Sequence, residues 1–160
     1  MSERRLYLVR HGLADRSAWD GPDERRPLTP AGVERLERSA EHLAGLGLGV
    51  DLILTSPLTR AVQTADILAA ALVPAGGVVP DDRLAWNFGV AALAGLLRDH
   101  PGRLLLTGHE PDFSAVAGAV TGGSQLMCKK GSLLRIDLWS EDPPHGELVW
   151  LVPPKFLAAD

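Results

Sequence analysis

The sequence predicts a three-layer α/β/α fold, in which helices cover both faces of a mostly parallel central sheet. Two observations lead to this prediction. A plan of strand, tight loop and helix occurs three times along the 160 residues, and the C-terminal part departs from it with two segments typical of an antiparallel strand pair. Because a chain of this length can bury one sizeable core, we expect residues 1–160 to form a single domain.

The first unit predicts a strand at about residues 5–10 and a helix at about residues 30–46. The strand ends abruptly at the tripeptide RHG of LYLVRHGLAD. Thr29 suits the N-cap of the helix and Pro30 its first position, because an N-cap side chain accepts a backbone N–H and proline lacks one. Apolar side chains recur at helical spacing along one face: Val33, Leu36, Ala40 and Leu43.

The second and third units repeat the plan. DLILTSPLTRAVQTADILAAAL predicts a buried strand at 51–55, then a helix with Ser56 as N-cap and Pro57 at its first position. GRLLLTGHEPDFSAVAGAVTG predicts a strand at 103–107 followed by a helix, and the segment between these two units predicts another helix at about 87–98. SLLRIDLWS and ELVWLV predict antiparallel C-terminal strands joined by the turn EDPPHG.

Composition and charge argue against several classes of protein. The net charge is −4, so no overall field attracts nucleic acid or an anionic membrane, and neither is expected as a partner. The N-terminal apolar run covers only residues 6–9, far too short for a signal peptide or a membrane span. The single Cys128 can form no internal disulfide, which is typical of a reducing compartment. We therefore expect a cytoplasmic protein and favour a monomer.

Polar residues collect in the loops that follow the three strands. In parallel sheets a ligand lies outside the carboxyl ends of the strands, so we expect the loops at 10–12, 56–60 and 108–110 to meet. They supply two arginines, two histidines, a serine, a glycine and two helix N-termini, a set suited to a tetrahedral dianion. The candidate residues are Arg10, His11, Gly12, Ser56, Arg60, His109 and Glu110.

Each of these residues has an ordinary explanation when taken alone. A histidine after a strand is usually a polar loop residue, Arg60 alone would be a solvated helix residue, and His109 could hydrogen-bond its own loop. Their shared position at the ends of repeated strands favours a joint chemical role instead. The other histidines lack that placement and are interpreted as surface residues: His42, His100 and His145.

Three motifs carry a resemblance to a known family. LVRHG, SPLTRAVQTA and TGHEP, in this order, resemble the histidine phosphatase superfamily, also called phosphoglycerate mutase-like. RPLTPAG at 26–32 resembles its short branch, the SixA-type phosphohistidine phosphatases. The resemblance extends from residue 6 to about residue 151 and implies a phosphoglycerate mutase-like fold and a phosphatase activity.

The resemblance also implies roles for the loop residues. His11 would be the nucleophile, forming a phosphohistidine that water then hydrolyses. Three side chains would hold the phosphoryl oxygens as charge shifts in the transition state: Arg10, Arg60 and His109. Gly12 would let the chain turn and offer its carbonyl to one nitrogen of the His11 ring, which leaves the other nitrogen to attack. Ser56 and Glu110 are expected to contact substrate.

No metal and no cofactor are expected. DRSAWDGPD contains three aspartates, but such a segment is more typical of a polar loop than of a metal site. The three are Asp15, Asp20 and Asp23. Two further segments have open interpretations. Lys129 and Lys130 could dock an acidic partner or form a solvated basic pair, and the aromatic residues of AWNFG could flank the mouth of the site or close an edge of the core.

The segment after the second helix is too short for the inserted general acid of larger superfamily members. The acid therefore has no assignment, with Asp15, Glu24 and Glu110 as candidates. Expelling an alkoxide demands such an acid, whereas an imidazole titrates near pH 6.5 and leaves more readily. The predicted substrate is phosphohistidine on a signalling or phosphotransfer protein. The alternatives are a phosphatase of a small phosphorylated metabolite or polyphosphate, and a phosphate-binding adaptor domain without turnover.

Overall fold

A computed structural model describes residues 4–159, so both ends of the predicted 1–160 domain lie outside the described residues. The strands in this part of the chain are β1 (Arg4–Arg10), β2 (Leu52–Thr55), β3 (Val78–Pro80), β4 (Leu104–Gly108), β5 (Leu133–Glu141) and β6 (Pro144–Val152). The helices are α1 (Pro30–Gly45), α2 (Thr59–Leu72), α3 (Val90–Asp99), α4 (Asp112–Val120) and α5 (Pro154–Leu157). Short 3₁₀ turns lie at Arg16–Ala18, Asp23–Arg25 and Asp82–Leu84.

The described strands form one sheet in the order β3-β2-β4-β1-β5-β6. The first four are parallel, with β4 between β2 and β1. β5 runs antiparallel to β1, and β6 runs antiparallel to β5. The predicted fold class is therefore confirmed: a mostly parallel sheet with antiparallel C-terminal strands.

Alternation along β1 shows how the two faces of the sheet are covered. Leu6 and Leu8 belong to an apolar cluster with α3 and α4, whereas Tyr7 and Val9 belong to a second cluster with α1, α2 and α5. Successive strand residues point to opposite faces, so a strand buried on both sides carries a continuous apolar run. The polar tripeptide RHG lies at the carboxyl end of β1, directly after this apolar run.

The starts of the first two long helices differ in how well the sequence predicts them. Thr29 is the N-cap of α1, as expected, and its Oγ1 accepts the N–H of Gly32 at 3.0 Å. Ser56 is not the N-cap of α2, which begins at Thr59 after Leu58. The N–H of Ser56 donates to the carbonyl of Thr107 at 3.0 Å, so the backbone still follows the sheet at this residue. The prediction of a Ser56-Pro57 helix start was wrong for this reason.

The remaining differences from the sequence pattern are small. α3 covers 90–99 instead of 87–98, and β3 was not predicted because it is short, largely exposed and ends in a proline. The C-terminal hairpin turn is tighter than EDPPHG, since β5 continues to Glu141 and β6 begins at Pro144. None of the helices between residues 4 and 159 combines the length and the hydropathy needed to cross a bilayer.

Candidate active site

A cavity of about 740 Å³ opens at the carboxyl ends of β1 and β4, beside the first turn of α2. Arg10 ends β1, His109 directly follows β4, and Arg60 is the second residue of α2. The sheet therefore brings the polar loops together at the edge where parallel strands present their ligands. The lining includes the four residues for which the resemblance implies phosphoryl chemistry: Arg10, His11, Arg60 and His109.

His11 is positioned by the sheet and by the next residue. Its N–H donates to the carbonyl of Gly108 at 3.0 Å, which extends the pairing of β1 with β4 by one residue. Its Nδ1 lies 2.8 Å from the carbonyl oxygen of Gly12. Because a carbonyl only accepts, Nδ1 carries the ring proton and Nε2 keeps a free lone pair. The ring lines the cavity although the residue is only 5% exposed.

Gly12 is closely packed. A Cβ at this position would lie 2.5 Å from Cδ1 of Leu36 and 3.3 Å from Cδ2 of Leu28, so a side chain here would displace the buried Leu36. The N–H of Gly12 donates to Oγ1 of Thr64 at 3.1 Å, and this hydroxyl donates to the carbonyl of Arg60 at 2.8 Å. The loop that carries the histidine is thus bound to α2, the helix that carries the arginine.

Arg60 is held by a residue from the segment predicted to be an ordinary polar loop. Nη1 of Arg60 donates to the backbone carbonyl of Asp23 at 2.9 Å, and Nη2 donates to its Oδ2 at 3.2 Å. Oδ1 of Asp23 accepts from Nε of the buried Arg26 at 3.0 Å. Asp23 and Arg26 both line the cavity and were not predicted as site residues. The one sequence signal was Arg26 at the start of RPLTPAG.

Ser56 contacts the site through His109. Nε2 of His109 lies 2.7 Å from Oγ of Ser56. This Oγ also accepts the N–H of Leu58 at 3.3 Å, and it can donate its own proton to Nε2. When it does so, the ring proton of His109 lies on Nδ1. The fully buried Ser56 therefore orients a ring of the cavity from behind.

Three buried nitrogens at the cavity have no hydrogen-bond partner within the described chain: Nε of Arg10, Nε of Arg60 and Nδ1 of His109. Arg10 is otherwise tied to the backbone, since its Nη1 donates to the carbonyl of Cys128 at 3.0 Å. Folded proteins leave few buried donors unpaired, because each costs about 1–3 kcal/mol. Two guanidinium groups and two imidazole rings around one cavity favour an oxyanion as the ligand.

Both histidines of the cavity are neutral at ordinary pH. The pKa of His11 is lowered to about 3, mainly by desolvation and to a smaller extent by the nearby His109 and arginines, against the opposing effect of the hydrogen bond to Gly12. The pKa of His109 is lowered to about 4. Desolvation is the largest cause, and the charge of Arg60 is the second. The lone pair on Nε2 of His11 is therefore available without prior loss of a proton.

The stability of the protein is expected to fall as the pH drops from about 6.5 to 5. The unfolded chain takes up protons on both histidines near pH 6.5, whereas folded His11 and His109 stay neutral until about pH 4. This stabilisation is complete above pH 6.5 and is lost as the pH falls, with a slope of about 1.4 kcal/mol per pH unit for each histidine. Urea unfolding at several pH values measures the slope. His109→Gln should remove about half of this contribution, and an unchanged slope in the variant would contradict the assignment.

The remaining predicted residues have simpler positions. Glu110 belongs to the cavity lining, and its Oε1 accepts the N–H of Ser114 at 3.0 Å in the first turn of α4. Lys130 also belongs to the lining, whereas Lys129 is exposed. The other histidines lie away from this lining: His42, His100 and His145. Within residues 4–159 no three His, Cys, Asp or Glu side chains are grouped so that they could hold a metal ion.

Comparison with known proteins identifies the family. A family model described as histidine phosphatase superfamily (branch 1) matches residues 6–111. An uncharacterized protein of Picosynechococcus sp. is 39% identical over 162 residues, which cover 95% of this chain and 98% of that protein.

Solved structures share the fold. The protein histidine phosphatase SixA in complex with tungstate matches with a TM-score of 0.83 and 23% identity, over 96% of this chain and 99% of that one. A SixA protein of Agrobacterium tumefaciens matches with a TM-score of 0.79 and 24% identity, over 96% and 100% of the two chains. The resemblance carried by the three sequence motifs is confirmed, and the chain belongs to branch 1 of the histidine phosphatase superfamily.

Proposed function

We propose that the protein is a phosphatase in which Nε2 of His11 attacks phosphorus. The observation that carries the proposal is the state of the His11 ring: Nδ1 is bound to the Gly12 carbonyl at 2.8 Å, and the ring is neutral. As the bond from Nε2 to phosphorus forms, the bond from phosphorus to the leaving group breaks. The oxygen of a water molecule then displaces Nε2, so inorganic phosphate leaves and His11 is restored.

Donors around the ring would hold the phosphoryl oxygens. The side chains of Arg10, Arg60 and His109 each present a buried nitrogen without a partner in the same cavity. Charge spreads over the equatorial oxygens during phosphoryl transfer, so such pre-positioned donors stabilise the transition state more than the ground state. SixA, whose fold this chain shares, was solved with tungstate, a tetrahedral oxyanion, which supports a site for a group of this shape.

The two aspartates of the cavity lining are poorly suited to act as a general acid. Hydrogen bonds from Ser17 lower the pKa of Asp15. Burial would raise the pKa of Asp23, but the hydrogen bond from Arg26 and the charge of Arg60 bring it below the ordinary value. Oε1 of Glu110 accepts the N–H of Ser114 in the first turn of α4. An alkoxide leaving group needs a proton from such an acid, whereas an imidazole, which titrates near pH 6.5, leaves more readily.

The substrate that fits these groups is phosphohistidine, and we propose that it is carried by a signalling or phosphotransfer protein. Arg16 and Trp86 at the cavity are exposed, so the opening can admit a side chain from another folded protein. The cytoplasm is the compartment we propose, in agreement with the single Cys128. A monomer is sufficient for this reaction, because all the proposed groups come from one chain.

Turnover of matched peptides tests the substrate. The same peptide is prepared with phosphohistidine and with phosphoserine, and both are compared with p-nitrophenyl phosphate. We expect kcat/KM for the phosphohistidine peptide to exceed that for the phosphoserine peptide by at least about 100-fold. General acid catalysis contributes at least this factor, and without it the phosphoserine ester reacts more slowly.

Two results would contradict the proposal in different ways. Equal or faster turnover of the phosphoserine peptide would show that a general acid exists, and would favour the alternative of a small phosphorylated metabolite. Binding of inorganic phosphate without turnover of any substrate would favour a phosphate-binding adaptor domain. Exposed His42 provides a control variant, His42→Ala, which should turn over the phosphohistidine peptide at the wild-type rate.

A further inference from the structure

Trp86 is an exposed aromatic residue at the cavity that the reaction described above does not use. The residue is 56% exposed and belongs to the cavity lining. Its ring is stacked on His109, with 5.9 Å between the ring centroids and 18° between the planes. The His109 ring in turn lies 5.3 Å from the ring of His11. A series of ring contacts therefore leads from the nucleophile to an exposed aromatic surface.

The position of Trp86 is set by buried neighbours on both sides. Leu84 and Phe88 are both buried, and Phe88 packs edge to face against Phe113 with 5.8 Å between the centroids. The N–H of Phe88 also donates to Oδ2 of Asp112 at 3.1 Å. Phe88 thus closes an edge of the core, whereas Trp86 flanks the mouth of the site. Anchors two residues away on each side hold the exposed indole against His109.

Asn87 completes this turn, with a φ of 56° in the left-handed region. Asparagine tolerates this conformation better than most residues other than glycine. The turn lets the chain expose residue 86 and bury residue 88. The indole of Trp86 is thereby held at the cavity, where it adds an aromatic face to the lining.

The geometry of phosphoryl transfer places the leaving group near this surface. Attack and departure are roughly in line, so the leaving group lies on the side of phosphorus away from His11. His11 is only 5% exposed whereas Trp86 is 56% exposed, and both belong to the same lining, so we expect the leaving group to lie toward the exposed side of the cavity where Trp86 is. A planar leaving group there can stack on an aromatic ring, as pairs of aromatic rings do at 4.5–7 Å.

We infer that Trp86 determines specificity by stacking on the planar ring of the leaving group, which for the proposed substrate is the imidazole of phosphohistidine. The inference rests on the proposed function for the identity of that ring. It adds a preference for planar leaving groups, which neither the phosphoryl donors nor the nucleophile can supply. A purely structural Trp86 would cover His109 and affect every substrate equally.

Two pairs of small substrates test the inference. N-Phosphoimidazole and phosphoramidate both carry a phosphorus–nitrogen bond, but only the first has a ring. Phenyl phosphate and ethyl phosphate form the corresponding ester pair. For each pair, the ratio of kcat/KM with the ring to kcat/KM without it is measured in the wild type and in Trp86→Ala. Comparing the ratios between enzymes cancels the intrinsic reactivity of each substrate.

We expect Trp86→Ala to lower the ring-to-ringless ratio by about 3- to 10-fold, the range that an aromatic pair supplies. Trp86→Phe keeps an aromatic face and should stay close to the wild-type ratio. Trp139→Ala is the matched control, because Trp139 is also an exposed tryptophan but lies on β5 outside the cavity lining. Thermal unfolding of each variant establishes that it is folded under assay conditions.

The outcomes separate this inference from the proposed function. An unchanged ratio in Trp86→Ala, or an equal loss for ringed and ringless substrates, would overturn the role of Trp86 and leave the phosphohistidine proposal intact. If the wild type prefers esters over phosphorus–nitrogen substrates, the proposed function fails. In that case the ester pair alone still decides whether Trp86 selects planar leaving groups.

Discussion

Replacing His11 with alanine is expected to abolish phosphatase activity, lowering kcat by on the order of 10⁴- to 10⁶-fold, as the loss of a covalent nucleophile does in other enzymes. The physical reason is the neutral ring whose Nδ1 is bound to the Gly12 carbonyl and whose Nε2 keeps its lone pair. No other ring can replace it, because Nε2 of His109 is engaged with Ser56. Steady-state turnover of a phosphohistidine peptide measures the loss.

A trapping experiment separates loss of the nucleophile from loss of the fold. Wild-type protein is mixed with labelled substrate, quenched at alkaline pH to preserve phosphorus–nitrogen bonds, and digested for mass spectrometry. We expect the phosphoryl group on His11 in the wild type and in His42→Ala, and no label in His11→Ala. His11→Ala should still bind tungstate through the remaining donors. Label on another residue, or turnover within tenfold of the wild type, would contradict the assignment of His11.

The sequence predicts the position of the candidate residues well where they lie at or directly after a strand end. Arg10 is the last residue of a buried strand and His11 follows it, so the location of that strand decides where both lie. His109 follows β4 in the same way. Parallel pairing of β1 with β4 then brings these residues to one edge of the sheet. The pattern of apolar runs determines the strands, and the strands determine these positions.

Other features of the site could not be predicted because they depend on side-chain contacts between distant segments. Asp23 lies in a polar stretch with no periodicity, and its contact with Arg60 joins residues 37 positions apart. Ser56 is of a residue type that commonly caps helices. Its side chain instead contacts His109 and its backbone continues the pairing with β4, so the helix begins only at Thr59. At Ser56, local propensity gave way to long-range hydrogen bonds.

Arg60→Ala is expected to lower kcat/KM by about 10²- to 10³-fold, the range for removal of one transition-state donor. Arg60 is 4% exposed, and Asp23 accepts from its Nη1 and Nη2. Arg60 also belongs to the cavity lining, so its guanidinium charge lies beside the proposed phosphoryl site. Arg60→Lys should recover little of the loss. A guanidinium group can contact Asp23 and the substrate at the same time, whereas the smaller ammonium group of lysine cannot.

The control for this change is an arginine that also pairs with an aspartate but lies away from the site. Arg103 precedes β4 at the opposite end of the sheet, and its Nη2 lies 2.7 Å from Oδ1 of Asp51. Arg103→Ala should keep wild-type kcat/KM, so a loss confined to Arg60 variants reflects the phosphoryl contact and not the removal of an ion pair. Tungstate affinity supplies a readout besides turnover, since Arg60→Ala should weaken binding while Arg103→Ala should not. Unchanged tungstate affinity and kcat/KM in Arg60→Ala would mean that Asp23 fully neutralises Arg60, and that Arg10 and His109 bind the phosphoryl group without it.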